Sequence, residues 1–272
     1  MEYTLNIQGR LLQLNEPLVM GILNVTPDSF YSASRLNDPA QLVARARAML
    51  DAGAAILDVG ACSTRPGSEP VSQKEELERL HAALSVLDKE FPEAVVSVDT
   101  FRGMVARECA QEHNVAIIND VSGFDWDSEM LEAVITLRLP YILTHSVPLL
   151  PGSEALPEVL RQLSQKMWQL RSEGVADIIV DPGLGFGKTI EQNYELLQGL
   201  AELSLLDAPL LVGLSRKSMI TKLLGIEPSE ALPATTALNM VALSKGAAIL
   251  RVHDVREAVQ AVKMWKALNP KK

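Results

Sequence analysis

The chain has 272 residues, 47% of them hydrophobic and only 4% aromatic, with a net charge of −9 and a pI near 5.0. This length suits one (β/α)8 barrel of roughly 250 residues, built around an aliphatic core. The acidic balance disfavours nucleic acid or an anionic membrane as a partner, and no apolar run approaches the length of a membrane span.

In chain order, Tyr3 to Leu14 alternates weakly around Gly9-Arg10, which predicts a hairpin capping the barrel bottom. Met1 to Arg10 lacks the apolar core of a signal peptide. A strand is expected over Leu18–Leu23, an irregular stretch over Thr26–Asp38 and a helix over Pro39–Ala52. Strand Ala55–Val59, the irregular stretch Ser63–Ser72 and helix Gln73–Lys89 come next. Then follow strand Val95–Val98, helix Arg102–Glu112, strand Val115–Ile118, helix Glu129–Arg138 and strand Tyr141–Thr144. The irregular stretch Pro148–Ala155 leads to helix Leu156–Glu173, strand Ile178–Val180 and helix Ile190–Leu200. Strand Leu210–Val212, helices Ser215–Leu224 and Ala231–Lys245, strand Ala248–Arg251 and helix Val255–Leu268 complete the chain.

Short apolar runs bounded by turn residues suit strands buried on both faces. Eight such strands alternating with helices predict an α/β fold, a (β/α)8 TIM barrel with a short N-terminal β-hairpin. A doubly wound open sheet is the alternative, and strand count and length favour the barrel. No repeat or linker divides the sequence, so residues 1–272 read as one domain. Two cysteines, Cys62 and Cys109, make no disulfide framework, and a reducing, cytoplasmic location is expected.

Chemistry in such barrels collects where the strands end. Asp181-Pro182-Gly183-Leu184-Gly185-Phe186-Gly187-Lys188 follows an apolar run with an acidic residue and a glycine-rich turn. A P-loop would need glycine at 182 and a dinucleotide fingerprint glycine at 188, so neither motif holds. The turn is also explicable as backbone requiring positive φ at its glycines. The same pattern recurs at other strand ends, at Asn24, Asp58, Asp99, Asn119, His145, Lys217, Arg251 and His253.

This set divides chemically. Asn24, Thr64, Arg65, Arg251 and His253 are rich in donors, and Arg fits phosphate oxygens bidentately. Asp99, Asn119, Asp181 and Lys217 mix acceptors and donors, as the edge of a nitrogen heterocycle requires. An anionic end and a heterocyclic end describe a pyrophosphorylated ring compound. A Mg²⁺ between Asn24 and phosphate oxygens is chemically sensible, because Mg²⁺ prefers few protein oxygens plus phosphates. His145 reads as structural, and His81 and His113 as surface residues on helices. Cys62 has no base beside it to mark a nucleophile.

Seven ordered segments resemble the dihydropteroate synthases. They are Gly21-Ile22-Leu23-Asn24-Val25-Thr26-Pro27-Asp28-Ser29-Phe30, Ser63-Thr64-Arg65-Pro66-Gly67, Ser97-Val98-Asp99-Thr100 and Ile118-Asn119-Asp120-Val121-Ser122-Gly123, then Asp181 to Lys188, Gly213-Leu214-Ser215-Arg216-Lys217-Ser218 and Arg251-Val252-His253-Asp254-Val255. The resemblance implies a Mg²⁺-dependent transferase of folate biosynthesis and a sulfonamide target. Its substrates would be 6-hydroxymethyl-7,8-dihydropterin pyrophosphate and 4-aminobenzoate, its products 7,8-dihydropteroate and pyrophosphate. It assigns the pterin to Asp99, Asn119, Asp181 and Lys217, and Mg²⁺ to Asn24. It assigns pyrophosphate to Asn24, Thr64, Arg65, Arg251 and His253, and aminobenzoate to Phe30, Pro66, Phe186, Lys217 and Ser218. Asp99, Asp181, Lys217 and Arg65 would carry the catalysis. The resemblance further implies a homodimer, through outer helices near the C-terminus.

The sequence departs from the family pattern at Tyr31-Ser32-Ala33-Ser34, at Ala61-Cys62 and at Thr144-His145-Ser146-Val147-Pro148. Two other readings stand beside the synthase. A pterin-binding methyltransferase would share Asp99 and Asn119 but has no use for Ser63–Gly67 or Ser215-Arg216-Lys217. A non-catalytic pterin-binding paralogue fits the loop departures.

Overall fold

In a computed structural model that describes residues 3–25, 39–62 and 71–270, strands and helices alternate around a closed barrel. β1 (Thr4–Ile7) and β2 (Arg10–Gln13) form an antiparallel hairpin. β3 (Leu18–Asn24), β4 (Ile56–Gly60), β5 (Val96–Asp99), β6 (Val115–Asp120), β7 (Tyr141–Thr144), β8 (Ile178–Asp181), β9 (Leu210–Val212) and β10 (Ala247–Val252) follow. These eight pair in parallel in that order, and β10 closes on β3. The surrounding helices are α1 (Pro39–Asp51), α2 (Gln73–Glu90), α3 (Gly103–Glu112), α4 (Met130–Leu137) and α5 (Ala155–Ser172), then α6 (Ile190–Gln198), α7 (Ser218–Leu224), α8 (Leu232–Ser244) and α9 (Val255–Leu268).

Local chemistry fixes several boundaries. Ser72 Oγ accepts from the Glu75 amide at 3.2 Å and starts α2. Thr189 and Gln192 form a reciprocal capping box at α6, at 3.2 and 3.0 Å. Two expected boundaries move. The helix expected to reach Leu200 stops at Gly199 and passes into a 3₁₀ segment, Leu200–Leu206. The helix expected from Ser215 begins at Ser218, because Arg216 is left-handed (φ 56°) and Lys217 is extended (φ −72°, ψ 155°).

Two apolar layers hold the barrel. The larger lies between the strands' outer faces and the helices, and includes Leu57, Val98, Leu143, Val180, Leu84 and Leu163. The smaller fills the lower lumen with Met20, Ile56, Ile117, Ile142, Ile179, Leu211 and Ile249. Leu5, Ile7 and Leu14 of the hairpin join this inner cluster and plug the bottom. Gln8 Nε2 donates to Val115 O at 2.9 Å and ties the hairpin tip to β6. Gln8 and Gly9 both have positive φ, 48° and 84°, as a type I′ turn requires.

Side chains of a strand alternate faces with a period of two. Two residues beyond the apolar inner layer, the inward positions are therefore Ile22, Asp58, Asn119, Thr144, Asp181, Gly213 and Arg251. A register shift in the β5–β6 pairing sets Asp99 opposite Asn119. On β4, β6, β7, β8 and β10 the lumen passes from an apolar to a polar or charged side chain within that one step.

Candidate active site at the barrel mouth

The centre of the mouth is a guanidinium between carboxylates. Arg251 Nε donates to Asp58 Oδ2 at 2.6 Å, and Arg251 Nη2 donates to Asp99 Oδ2 at 2.5 Å. Asn119 Nδ2 donates to the same Asp58 oxygen at 3.0 Å. Asp58 is fully buried, and its Oδ1 has no hydrogen-bond partner among the described residues. Burial pushes the Asp99 carboxyl up to about 7, against the pull of Arg251 and with the help of Asp58. Burial also opposes the charge on Arg251, but Asp58 and Asp99 outweigh it and hold the guanidinium above its ordinary range.

A second cluster surrounds Asp181, the last residue of β8. Its Oδ1 accepts from the Gly183 amide at 2.7 Å. Burial raises its carboxyl, while Lys217 pulls the other way. Lys217 Nζ donates to Leu184 O and stands 4.6 Å from the centre of the Phe186 ring. Burial lowers this ammonium to about 8, with Asp181 opposing. The extended backbone of Lys217 just before α7 aims it inward instead of along the first helical turn. Ser218, the next residue, is exposed at the helix start.

The glycine-rich turn is shaped by its backbone. Gly183, Gly185 and Gly187 have φ of 67°, 86° and 59°. A Cβ at Gly183 would stand 1.8 Å from His145 O, and one at Gly187 would stand 2.7 Å from Pro148 Cα. Lys188 locks the turn, with Nζ donating to His145 O, Gly183 O and Phe186 O at 3.0, 2.9 and 3.0 Å. It also faces His145 Nδ1 at 3.0 Å. Burial draws the Lys188 ammonium down to about 7, against Asp181. Burial, then Lys188, holds the His145 imidazole near 4, so it is neutral at physiological pH. His145 thus meets the glycine-rich turn through its carbonyl and its Nδ1, both facing Lys188.

Asn24 ends β3 beside Gly60, and Gly60 pairs in register with Asp99. Asn24 Oδ1 and Asp99 Oδ2 each lie 3.5 Å from the position a Gly60 Cβ would take. With no side chain at 60, these two oxygens flank one position, and both are hard donors of the kind Mg²⁺ takes. His253 backbone N donates to Ser215 Oγ at 3.2 Å, and its Nδ1 meets the same oxygen at 3.1 Å. Arg216 grips Asp254 with two bonds, at 3.1 and 2.6 Å, and so fixes the β9–α7 loop to the β10–α9 loop.

Of the residues singled out from the sequence, Asn24, Asp99, Asn119, Asp181, Phe186, Lys217, Ser218, Arg251 and His253 all occupy this end of the barrel. Asp28, Phe30, Thr64, Arg65 and Pro66 lie outside the described residues. The ends flanking 63–70 are nevertheless anchored. Arg79 donates to Ala61 O at 3.1 Å and Arg102 to Val71 O at 2.7 Å, while fully buried Glu76 takes both Arg102 and, at 2.6 Å, Thr100.

Sequence reasoning missed several participants. Asp58 stands at a strand end but had no assigned partner, and alternation two positions beyond Ile56 is the signal for it. Lys188 and the Glu76–Arg102 pair carry no such signal. The atypical Thr144 and Ser146 are both buried, and Ser146 Oγ donates to Ser122 O at 3.3 Å. The expectation of a surface position is corrected for His113, whereas His81 keeps 27% of its side-chain surface. His113 caps the end of α3 with only 8% of its side chain exposed, and both rings sit in a polar seam between α2 and α3.

Comparison with known proteins points one way. A family described as pterin binding enzyme matches residues 20–253. The dihydropteroate synthase of Escherichia coli (strain K12) is 41% identical over 269 residues, covering 96% of this chain and 94% of that protein. The crystal structure of Xanthomonas albilineans dihydropteroate synthase with 4-aminobenzoic acid superposes with a TM-score of 0.90 at 35% identity, covering 100% of both chains. A structure of the Xanthomonas albilineans enzyme in complex with 7,8-dihydropteroate gives a TM-score of 0.88 at 34% identity, over 99% of this chain and 100% of that one.

Proposed function

Because this chain belongs to the pterin-binding enzyme family, as one of its dihydropteroate synthases, we propose that its mouth joins 6-hydroxymethyl-7,8-dihydropterin pyrophosphate to 4-aminobenzoate. The amino nitrogen attacks the exocyclic methylene carbon and a C–N bond forms. The C–O bond to pyrophosphate breaks, and the leaving group keeps the electron pair. The nitrogen then loses a proton to solvent. The observation that supports this reading is the convergence of Asp99, Asn119, Asp181 and Lys217 with Arg251 at one end of the barrel.

The first four of these side chains form the pterin site. Asp99, Asn119 and Asp181 offer acceptors and an amide to ring N–H and NH₂ groups, and Lys217 donates to a ring nitrogen or carbonyl. Carboxylates beside the ring favour positive charge growing on the pterin as the leaving group departs, so the path is loose. Arg251 and His253, with Thr64 and Arg65, hold pyrophosphate as its charge develops. Phe186, Lys217 and Ser218, with Phe30 and Pro66, line the aminobenzoate site. Asn24 would hold Mg²⁺, with the Asp99 oxygen beside it, and the ion would supply electrostatic neutralisation of the phosphate oxygens. The transfer is read as direct, from the amino nitrogen to the methylene carbon.

The reading extends to residues 1–272 acting as one domain, as a homodimer in the cytoplasm. Leu223, Leu224, Val241, Met264 and Leu268 are exposed apolar residues of α7, α8 and α9 and support self-association there. No helix among the described residues is long and apolar enough to cross a membrane. The decisive experiment mixes both substrates with Mg²⁺ and follows pyrophosphate and dihydropteroate together. Equal release of the two is expected. Pterin binding without release would identify a non-catalytic paralogue instead.

A further inference from the structure

On the outer ring of the barrel, away from the mouth, three side chains converge in the seam between α2 and α3. His81 Nδ1 stands 2.8 Å from His113 Nε2 and 3.7 Å from Glu112 Oε2. The candidate ligand atoms of all three lie within 4.8 Å of one another. We propose that His81, His113 and Glu112 form a binding site for a divalent transition-metal ion of the zinc class, one per chain, independent of the Mg²⁺ proposed at the mouth.

The surroundings are those of a metal-ligating histidine. His113 Nδ1 lies 2.8 Å from Asp88 Oδ2, and the other Asp88 oxygen accepts from the Asn114 amide at 3.2 Å. A carboxylate held at both oxygens suits the His113 tautomer in which Nδ1–H donates to Asp88 and the Nε2 lone pair faces His81. That carboxylate–histidine arrangement orients imidazoles at metal centres and raises their basicity. The two rings tilt at 48° with centroids 5.1 Å apart, so they meet through nitrogens instead of stacking.

Two ligating nitrogens on a tetrahedral Zn²⁺ with bonds of about 2.0–2.1 Å sit about 3.3 Å apart. The pair here needs to open by only about half an ångström, which an imidazole on each of two helices can supply by small rotations. His81 would ligate through Nδ1 in its Nε2–H tautomer. Two imidazoles and a carboxylate favour Zn²⁺, Co²⁺, Ni²⁺ or Cu²⁺ over Mg²⁺ or Ca²⁺. His113 caps the C-terminal end of α3, where the helix carbonyls also favour a cation. His81 and Glu112 keep 27% and 59% of their side-chain surface, so an ion reaches the site from solvent and water completes its shell.

The test uses the full untagged chain, freed of metal by chelation and held in excess Mg²⁺. Titration with Zn²⁺ by calorimetry and with Co²⁺ by visible absorption is expected to show one ion per chain, the tetrahedral Co²⁺ bands and a rise in Tm. His81→Gln and Glu112→Gln should each weaken binding by at least tenfold and abolish the Tm rise, while the metal-free variants melt near the parent. Full-strength Co²⁺ bands in the His81→Gln variant, or fewer than one bound ion in five chains of the parent, would overturn the site.

Discussion

Arg251 Nη2 donates to Asp99 Oδ2 at 2.5 Å, across the mouth from β10 to β5. The residue expected to meet pyrophosphate thus holds a residue expected to meet the pterin ring. The two halves of the site are electrostatically one unit, and fully buried Asp58 lies beneath both.

Replacing Arg251 with Met should therefore cost stability as well as activity. Removing one partner of a buried ion pair leaves an uncompensated charge, typically about 3–5 kcal/mol. Adding Asp58→Asn should recover part of that loss without restoring turnover. Urea denaturation of the two single variants and the double variant measures the coupling; additive losses would show that Asp58 and Arg251 do not depend on each other.

Lys217→Ala should damage both substrate sites, because its ammonium lies over Phe186 and next to Asp181. A charge-assisted hydrogen bond is worth roughly 1.5–3 kcal/mol, so kcat/KM should fall at least about tenfold. Steady-state kinetics with each substrate varied in turn should show both KM values or kcat affected. Parent-like kinetics would remove Lys217 from the site.

Gly183→Ala and Gly185→Ala should differ. The first sets a Cβ against His145 O at a left-handed backbone and should destabilise the fold by roughly 2–4 kcal/mol. At Gly185 the obstacle is the Lys217 side chain, 2.9 Å from the Cβ position and able to move. Its alanine should melt closer to the parent and lose activity through a displaced Lys217. Thermal unfolding and dihydropteroate formation on the same preparations separate the two.

His145 gives a pH signature. Its folded pKa is near 4, below the ordinary 6.5. Between those values the unfolded chain binds the extra proton, so the neutral imidazole contributes stability that is fully present above about pH 6.5 and lost as pH falls toward 4. The effect is on the order of 2–3 kcal/mol. Denaturation midpoints of parent and His145→Gln should converge from pH 7 to pH 4; a constant gap would mean that His145 does not titrate in this way.

The sequence is most legible where one strand end governs one side chain. Asn24, Asp99, Asn119, Asp181 and Arg251 all terminate apolar runs, so alternation alone brings them to one rim. Lys217 is legible as a residue but not as a direction, because its inward aim follows from the left-handed Arg216 before it. Lys188 was hidden for another reason: it acts by reaching back to three backbone carbonyls, and carbonyls carry no sequence signal. His113 was misread as a surface residue because its burial depends on Asp88 and His81 of a different helix. The helix order and nearly every strand were readable, since buried parallel strands leave continuous apolar runs.

The plug at the barrel floor sets the order in which the chain can be completed. Leu5 and Ile7 of the hairpin share a cluster with Ile249 on β10, more than two hundred residues along the chain. That strand must also arrive before β3 has its second neighbour. The beginning of the chain therefore waits for the end, and closing a loop of this span delays the contacts that reward it. The lumen therefore closes only when β10 docks, which covers the hairpin's apolar face and the second edge of β3 together.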